Sequence, residues 1–165
     1  MNHRSIGIVC SVAAVIFDQG SKALALATPM MRDGIDILPV LRLVLIHNDG
    51  ISFGILGGVA PWWVLAAIGV AIVAVLSVWL WRSHSTILNV GLGLLIGGAL
   101  GNIIDRVRFG AVADFLDFHV AGYHWPAFNL ADVAVVCGVG LLLLDSLRAN
   151  RTPEAIAKDS RRSSA

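Results

Sequence analysis

The sequence predicts an all-α integral membrane protein with four transmembrane helices, and both its composition and its hydropathy pattern indicate this class. Hydrophobic residues make up 57% of the 165 residues and charged residues only 14%, with a mean hydropathy of +0.81. One soluble core of this length could not bury so much apolar surface. Four segments supply the about 20 apolar residues needed to cross a hydrocarbon layer about 30 Å thick. They are residues 6–27, 61–81, 87–104 and 128–147.

The first segment has an uninterrupted apolar run from Ile6 to Phe17, followed by Asp18 and Lys22. Its end, Ala25–Ala27, is similar to the cleavage site of a signal peptide that has Arg4 at its basic end. Two charged residues between the apolar run and the small residues fit such a peptide poorly. The segment is therefore expected to remain as a membrane helix.

The stretch from Thr28 to Gly58 alternates in places, as in the sequence LRLVL from Leu41 to Leu45. Alternation of this kind favours short β-strands. Residues His47–Gly50 are rich in turn formers. A turn between strands is therefore predicted there.

The second and third spans are joined by the short link Arg82–Thr86, and tryptophans near both ends of the second span fit interfacial aromatic belts. Glycines recur through the third span, and small residues let a neighbouring helix approach closely. We expect these glycines to serve helix packing. They are Gly91, Gly93, Gly97, Gly98 and Gly101.

The fourth span completes a single membrane domain over residues 1–149, and the polar residues 150–165 are expected to form a disordered tail. Cys10 and Cys137 lie in apolar segments without CxxC spacing, so both are interpreted as small hydrophobic side chains. Cytoplasmic flanks retain basic residues, and their distribution places both termini in the cytoplasm. The flanking residues are Arg4, Arg82, Arg148, Arg151, Lys158, Arg161 and Arg162.

This topology gathers polar residues on the outer side of the membrane, where Asp114 also lies between the third and fourth spans. A proton-coupled transporter needs polar groups through both leaflets. The one-sided distribution therefore disfavours that alternative, and a non-enzymatic membrane scaffold is a second one. The outer polar residues of the predicted spans are Asp18, Asn102, Asp105, Arg106, Asn129 and Asp132.

Asp114 and Asp132 are candidates for a catalytic pair. An ionisable group at membrane depth costs about 2.5–3.5 kcal/mol on insertion scales and is a functional hypothesis by default. Two carboxylates within a few ångströms share one proton, so that the ionised one activates water while the protonated one polarises a carbonyl. This aspartic-protease chemistry requires no metal and no cofactor.

Both aspartates also have structural interpretations. Asp132 could be a charge at a helix N-terminus, with Asn129 as the N-cap. Asp114 could be an interfacial loop carboxylate paired with Arg106 or Arg108. If the segment were helical, Asp117 could compete for the role of Asp114.

Other chemistries find less support. His119 and His124 lack HExxH-like spacing and a cysteine partner, so no metal site is predicted. The chain has no GxSxG elbow, which disfavours a serine protease. The net charge of +1 and the absence of a basic stripe give no reason to propose nucleic acid as a partner.

Four sequence blocks run through the chain up to about residue 147. They are DQGSK at Asp18–Lys22, NDGISFG at Asn48–Gly54, GGALGNIIDRVRFGAVADFLDF at Gly97–Phe118 and FNLADVAVVCG at Phe128–Gly138. In this order they resemble the blocks of the bacterial lipoprotein signal peptidases, also called signal peptidase II. One block alone would be weak, but four in register with four predicted spans are specific.

The resemblance implies a four-span aspartic endopeptidase of the bacterial inner membrane, with its active site at the outer leaflet. It would remove the signal peptide from diacylglyceryl-modified prolipoproteins, just before the lipidated cysteine, with no obligate protein partner beyond substrate and membrane lipid. Catalysis would fall to Asp114 and Asp132. A small outer β-cradle would lie before Gly58 and an outer amphipathic helix around Ala111–Tyr123. The supporting residues would be Asp18, Lys22, Asn48, Gly50, Phe53, Asn102, Asp105, Arg106 and Asn129.

One block departs from the common NxGAAF pattern, because Ile51 and Ser52 replace two alanines. The added bulk and hydroxyl are expected to affect how lipid or peptide fits. The role of Arg106 stays open between a structural bridge to Asp105 and a contact with a carbonyl of the substrate.

Overall fold

The computed structural model of the chain describes residues 2–50 and 61–162, with side chains described as far as residue 148. Four long helices dominate it: α1 (His3–Leu26), α2 (Trp62–Arg82), α3 (Thr86–Phe109) and α4 (Leu130–Arg162). Each is long and apolar enough to cross a membrane, α4 over Leu130–Arg148. The predicted class of four-span membrane protein is confirmed.

Polar caps set the ends of these helices. Asn2 Oδ1 accepts a hydrogen bond from the Ser5 N–H at 2.8 Å, so α1 begins before the apolar run. Ser85 caps α3 in the same way through the Leu88 N–H, at 3.3 Å. At the other end of α3, Gly110 has a φ of +74°, a left-handed conformation that glycine adopts at little cost. Caps therefore extend α3 beyond residues 87–104, the range that apolarity alone predicted.

The backbone of α4 continues as helix to Arg162, over most of the segment for which a disordered tail was predicted. The sequence EAIAK at residues 154–158 consists largely of good helix formers. The expectation of a disordered tail over residues 150–165 stays a prediction.

A four-stranded antiparallel sheet lies at one end of the bundle, in the order β1 (Ile35–Leu38), β2 (Leu41–Asn48), β3 (Val112–Val120) and β4 (Tyr123–His124). The turn between β1 and β2 is at residues 39–40. Of the turn predicted at His47–Gly50, the part that follows β2 forms, because the Gly50 N–H donates to Asn48 Oδ1 at 3.0 Å. Pro39 lacks an N–H for the ladder and breaks the strand there, while β2 runs through His47 to Asn48.

The predicted outer helix around Ala111–Tyr123 is wrong, because β3 occupies most of that segment. The sequence VADFLDFHV is rich in β-branched and aromatic residues, which favour strands, and β2 pairs with it in antiparallel register. Ala121 and Gly122 have φ values of 50° and 84°. Two successive positive φ values are typical of a tight hairpin turn, which leads here into β4.

The third membrane helix is central and packs against the other three. An added Cβ at Gly97 would lie 2.5 Å from the Ser11 carbonyl oxygen of α1, and one at Gly98 would lie 2.5 Å from the Ala131 carbonyl oxygen of α4. The glycines of α3 thus serve close helix approach, as their spacing predicted.

Buried polar residues concentrate at the end of the bundle that carries the sheet. Among the described residues, Ser83 and Asn89 are the exceptions, and Asn89 is fully buried. Its amide donates only a long hydrogen bond of 3.5 Å to the Ser83 carbonyl. The opposite half of the bundle is therefore less purely apolar than the sequence suggested.

The close approach of α3 and α1 gives a stability prediction. Replacing Gly97 by Ala places a methyl group 2.5 Å from a backbone oxygen and 2.6 Å from the Ala14 Cβ. Overpacking of this kind costs about 1–3 kcal/mol, more than the about 0.5–1 kcal/mol that Ala gains over Gly in a helix. We expect the Gly97→Ala variant to unfold at a lower denaturant concentration in detergent micelles.

Gly140 of α4 provides the matched control, because no atom of the described residues lies within 4 Å of the position that an added Cβ would take. Gly140→Ala should keep or slightly increase the free energy of unfolding. Equal stability of the two variants would contradict the role given to Gly97.

Candidate active site

Buried charges meet where the sheet contacts the ends of α1, α3 and α4. Asp18, Lys22 and Asp105 have at most 2% of their surface exposed, and Asp114 on β3 has 3%. Asp132 in the first turn of α4 is half-buried. An apolar bundle tolerates such a set only if each group has partners.

Lys22 neutralises part of this set. Its Nζ lies 2.9 Å from Asp18 Oδ2 and 2.8 Å from Asp105 Oδ2. It also donates to Asn102 Oδ1 at 3.1 Å. Asp18 and Lys22 are four residues apart on α1, a spacing that brings side chains onto one helix face. One buried ammonium group therefore serves two carboxylates and one amide.

Gln19 and two backbone N–H groups donate further hydrogen bonds to Asp18 and Asp105. Gln19 Nε2 donates to Asp18 at 3.1 Å and to Asp105 at 2.9 Å. The Ala131 N–H donates to Asp18 at 2.9 Å, and the Ala113 N–H donates to Asp105 at 3.1 Å. Gln19 was not among the predicted site residues, although its place between Asp18 and Lys22 was a usable signal.

Asp114 is held by neutral amides. Asn48 Nδ2 donates to Asp114 Oδ2 at 3.0 Å, and Asn129 Nδ2 donates to Asp114 Oδ1 at 2.7 Å. Burial raises the pKa of Asp114 to about 6, the amides oppose the rise, and the nearby charge of Asp132 adds to it. The proposed pairing of Asp114 with an arginine is therefore replaced by amide contacts.

Asp132 has a structural role as well as a place in the site. Its Oδ2 accepts from the Asn129 N–H at 3.2 Å, while Asn129 Oδ1 accepts from the Asp132 N–H at 3.1 Å. This reciprocal arrangement is a capping box, so the interpretation as a helix-terminal charge is correct. The second oxygen, Oδ1, accepts from Asn102 Nδ2 at 3.0 Å.

Asparagine side chains connect the two aspartates. Asn129 Nδ2 donates to Asn102 Oδ1 at 3.2 Å, in addition to its bond with Asp114. Asn102 in turn donates to Asp132. A continuous path of amides thus runs from one carboxylate to the other, and both receive hydrogen bonds from it.

Arg106 does not bridge to Asp105. Its guanidinium donates to the Gly50 carbonyl at 2.9 Å and to the Asn102 carbonyl at 3.3 Å. Adjacent residues on a helix point in different directions, so Asp105 reaches Lys22 while Arg106 faces the aspartates. Its charge interacts with those of Asp114 and Asp132.

Asp117 lies outside this arrangement. Its carboxylate contacts His124 Nδ1 at 2.8 Å, and the His124 ring stacks on His119 with centroids 5.1 Å apart. Residues three apart on a strand point to opposite faces. Because β3 is a strand and not a helix, Asp117 does not compete for the role of Asp114.

The two aspartates line one cavity of about 360 Å³. The polar part of its described wall consists of Asn48, Asn102, Arg106, Asp114 and Asp132. Both carboxylates therefore face a space in which a water molecule and a peptide bond can be held together. The arrangement suits acid–base hydrolysis.

A family model described as signal peptidase II matches residues 10–148 of this chain. The chain belongs to the signal peptidase II family. It is a multi-pass membrane peptidase, and the resemblance found in its sequence blocks is confirmed.

Curated lipoprotein signal peptidases are similar in sequence to this chain over most of their length. A lipoprotein signal peptidase of Nitrobacter hamburgensis is 47% identical over 159 residues, covering 92% of this chain and 96% of the relative. One of Burkholderia thailandensis is 43% identical over 141 residues, covering 84% of this chain and 85% of the relative.

Solved structures of a bacterial membrane enzyme have the same fold. One, at 2.3 Å resolution, has a TM-score of 0.79 and 33% identity, covering 87% of this chain and 88% of its own. Another, at 1.9 Å resolution, has a TM-score of 0.75 and 31% identity, covering 86% and 92%.

Most supporting residues expected of a signal peptidase II come together in this structure. Gly50 is buried, accepts from Arg106 and donates its N–H to Asn48 Oδ1 at 3.0 Å, which orients the Asn48 amide. Phe53, with Ile51 and Ser52, lies outside the described residues. The apolar cavity wall at residues 125–128 was not predicted, although it directly precedes Asn129.

The buried ion cluster of this signal peptidase II gives a second stability prediction. Lys22→Met leaves Asp18 and Asp105 without a cationic partner, and breaking a buried pair costs about 3–5 kcal/mol. We expect a loss of this size in the free energy of unfolding, measured by denaturant titration in micelles.

Arg42→Met is the control, because Arg42 lies 3.7 Å from an Asp36 carboxylate that is 76% exposed, and its hydrogen bond to the Asp33 carbonyl is also exposed. An exposed pair contributes about 0–1 kcal/mol. If both variants lose the same stability, the Lys22 cluster does not hold the bundle together.

Proposed function

We propose that Asp114 and Asp132 share one proton and activate the water molecule with which this lipoprotein signal peptidase cleaves its substrates. The chain removes signal peptides from prolipoproteins, as its family membership establishes. The observation that carries the proposal is the common cavity of the two carboxylates. Their charges also interact, and close carboxylates cannot both ionise readily.

The two aspartates have different environments, which supports different roles. Asp114 is almost fully buried, and its raised pKa of about 6 favours the protonated form. Asp132 lies in the first turn of α4, where the helix dipole favours a negative charge. We therefore assign the proton to Asp114 and the ionised form to Asp132.

Each proton then has a defined path. Asp132 accepts a proton from water as the water oxygen attacks the scissile carbonyl carbon. Asp114 gives its proton to the carbonyl oxygen, forming a neutral tetrahedral intermediate. Collapse returns that proton to Asp114, breaks the C–N bond and transfers the proton of Asp132 to the leaving amine. The pair ends in its starting state.

For the substrate we propose diacylglyceryl-modified prolipoproteins, cut just before the lipidated cysteine. The site lies at one end of the spans, where a peptide bond beside a membrane-anchored lipid would be presented. We further propose that the protein resides in the bacterial inner membrane, with the sheet outside and both termini in the cytoplasm. Support comes from Arg4 and Arg82, which lie at the opposite end of the spans from the sheet.

A transporter is less well supported, because the cavity and most buried polar groups of the described residues lie at one end of the bundle. A scaffold would tolerate loss of the aspartates. The match of residues 10–148 to the signal peptidase II family already favours a peptidase over both alternatives.

Asp114→Asn and Asp132→Asn should leave the protein inserted and folded but reduce cleavage of a diacylglyceryl-modified prolipoprotein by at least about 10²–10⁴-fold, the contribution of general acid–base groups. Cleavage is followed by the mobility shift of the product. Asp117→Asn is the control, because this carboxylate pairs with His124 away from the cavity. Full turnover by either catalytic variant would disprove the pair.

The raised pKa of Asp114 predicts a pH dependence. Because the reactive form carries a proton on Asp114, kcat/KM should fall as the pH rises through about 6. The folded-state pKa is above the ordinary aspartate value of 3.8. The stabilising contribution of this group is therefore complete below 3.8 and lost as the pH rises through about 6.

The measurement is a pH profile of kcat/KM together with unfolding in micelles at each pH. Asp117→Asn should keep the alkaline decline unchanged. A profile that stays flat from about pH 5 to about pH 8 would refute the assignment of the proton to a group with this pKa.

A further inference from the structure

We infer that a second cavity beside Asp114 receives the first residues of the mature lipoprotein, and that Asp49 makes this subsite select against acidic side chains. The cavity has a volume of about 280 Å³ and is bounded in part by Ile46, His47 and Asp49 at the end of β2. The inference rests on the proposed function and adds where the peptide that follows the cut lies.

The second cavity adjoins the one that contains the proposed catalytic pair. Asn48 and Asp114 line both cavities, together with Pro126 and Ala127. The hydrogen bond of 3.0 Å from Asn48 Nδ2 to Asp114 Oδ2 therefore belongs to the wall of each. A peptide bond held at Asp114 has chain on both of its sides, so two cavities that meet at this carboxyl group can take one half of the substrate each.

The two cavities differ in the elements that bound them. The first is lined by Arg106 of α3 and Asp132 of α4, so it reaches between membrane spans. The described lining of the second consists of residues 46–49, Asp114 and residues 126–127, none of which belongs to a span. A signal peptide is apolar in its central part, whereas the mature part of a lipoprotein continues into water. The second cavity therefore suits the mature part.

The side chains at the end of β2 are suited to a peptide backbone. A backbone that leaves water needs hydrogen-bond partners, and His47, Asn48 and Asp49 supply both donors and acceptors. His47 and Asp49 are exposed, so an incoming chain can reach them. Ile46, which is 45% exposed, adds an apolar contact.

Asp49 is fixed in position by its two neighbours. Asn48 donates to Asp114, and the Gly50 carbonyl accepts from Arg106 at 2.9 Å. The Gly50 N–H also donates to Asn48 Oδ1 at 3.0 Å. The backbone on both sides of Asp49 is thus tied to the site, and the side chain of Asp49 keeps a constant place beside it.

The charge of Asp49 gives the subsite its selectivity. With the proton assigned to Asp114, Asp49 is the ionised carboxylate of the second cavity. Its described lining contains no lysine or arginine, and Arg106 lines only the first cavity. A carboxylate attracts a cationic side chain and repels an acidic one. Basic or neutral residues after the lipidated cysteine should therefore fit better than acidic ones.

The first test uses three diacylglyceryl-modified prolipoproteins that differ only in the two residues after the lipidated cysteine, which are both Lys, both Gln or both Glu. The wild-type protein should cleave the Lys substrate with a kcat/KM about fivefold above that for the Glu substrate, an effect of the size of an exposed charge pair. Asp49→Asn should bring this ratio close to unity. Asp49→Lys should invert it.

Asp36→Asn is the matched control, because it removes the same charge from a carboxylate of β1 that is 76% exposed and lines neither cavity. This variant should keep the ratio of the wild-type protein. A wild-type ratio of unity, or a ratio that Asp49→Asn leaves unchanged, would overturn the inference.

A second test locates the peptide directly. In the Asp132→Asn variant, which should bind substrate without cleaving it, a benzophenone side chain two positions after the lipidated cysteine should cross-link to residues 46–49, as identified by mass spectrometry. The same group three positions before the cysteine should not. Cross-linking to residues 46–49 from the signal-peptide side alone would contradict the placement. Cleavage by Asp132→Asn would instead refute the catalytic pair, and the ratios of the first test would still decide the subsite.

Discussion

The site depends on one buried ammonium group held between two carboxylates in a bundle that is otherwise apolar. Lys22 contacts Asp18 at 2.9 Å and Asp105 at 2.8 Å, and all three are nearly inaccessible. Without the lysine, two carboxylates would have to ionise in a medium that solvates them poorly. Because α1 supplies Asp18 and Lys22 while α3 supplies Asp105, the cluster also fixes these two helices against each other.

The same cluster positions the catalytic candidates through the backbone. Asp18 accepts from the Ala131 N–H, which directly precedes Asp132, and Asp105 accepts from the Ala113 N–H, which directly precedes Asp114. Asp18 and Asp105 therefore each hold the backbone one residue away from an aspartate of the proposed catalytic pair. A helix start and a strand, far apart in sequence, are brought to one cavity by a shared ionic cluster.

Membrane helices were predictable because their length is imposed by the bilayer. The segment at residues 112–120 was assigned to a helix from the resemblance alone, although its β-branched and aromatic residues favour a strand. Its pairing with β2 was not predictable, because that partner lies far away in sequence. Depth alone also could not separate Asp105 from the proposed pair. The structure supplies the physical difference: the oxygens of Asp105 are occupied by Lys22, Gln19 and the Ala113 N–H.

Neutral amides around Asp114 suit a proton-sharing pair better than cations would. A lysine or arginine bonded to Asp114 would favour its ionised form and remove the proton that the mechanism requires. Asn48 and Asn129 orient the carboxyl group while adding no charge, so burial prevails and the pKa is raised to about 6. Arg106 is kept from direct contact by its bonds to the Gly50 and Asn102 carbonyls. Lys22 thus offsets the buried charges of Asp18 and Asp105, while the neutral amides leave Asp114 able to hold the proton that we propose for it.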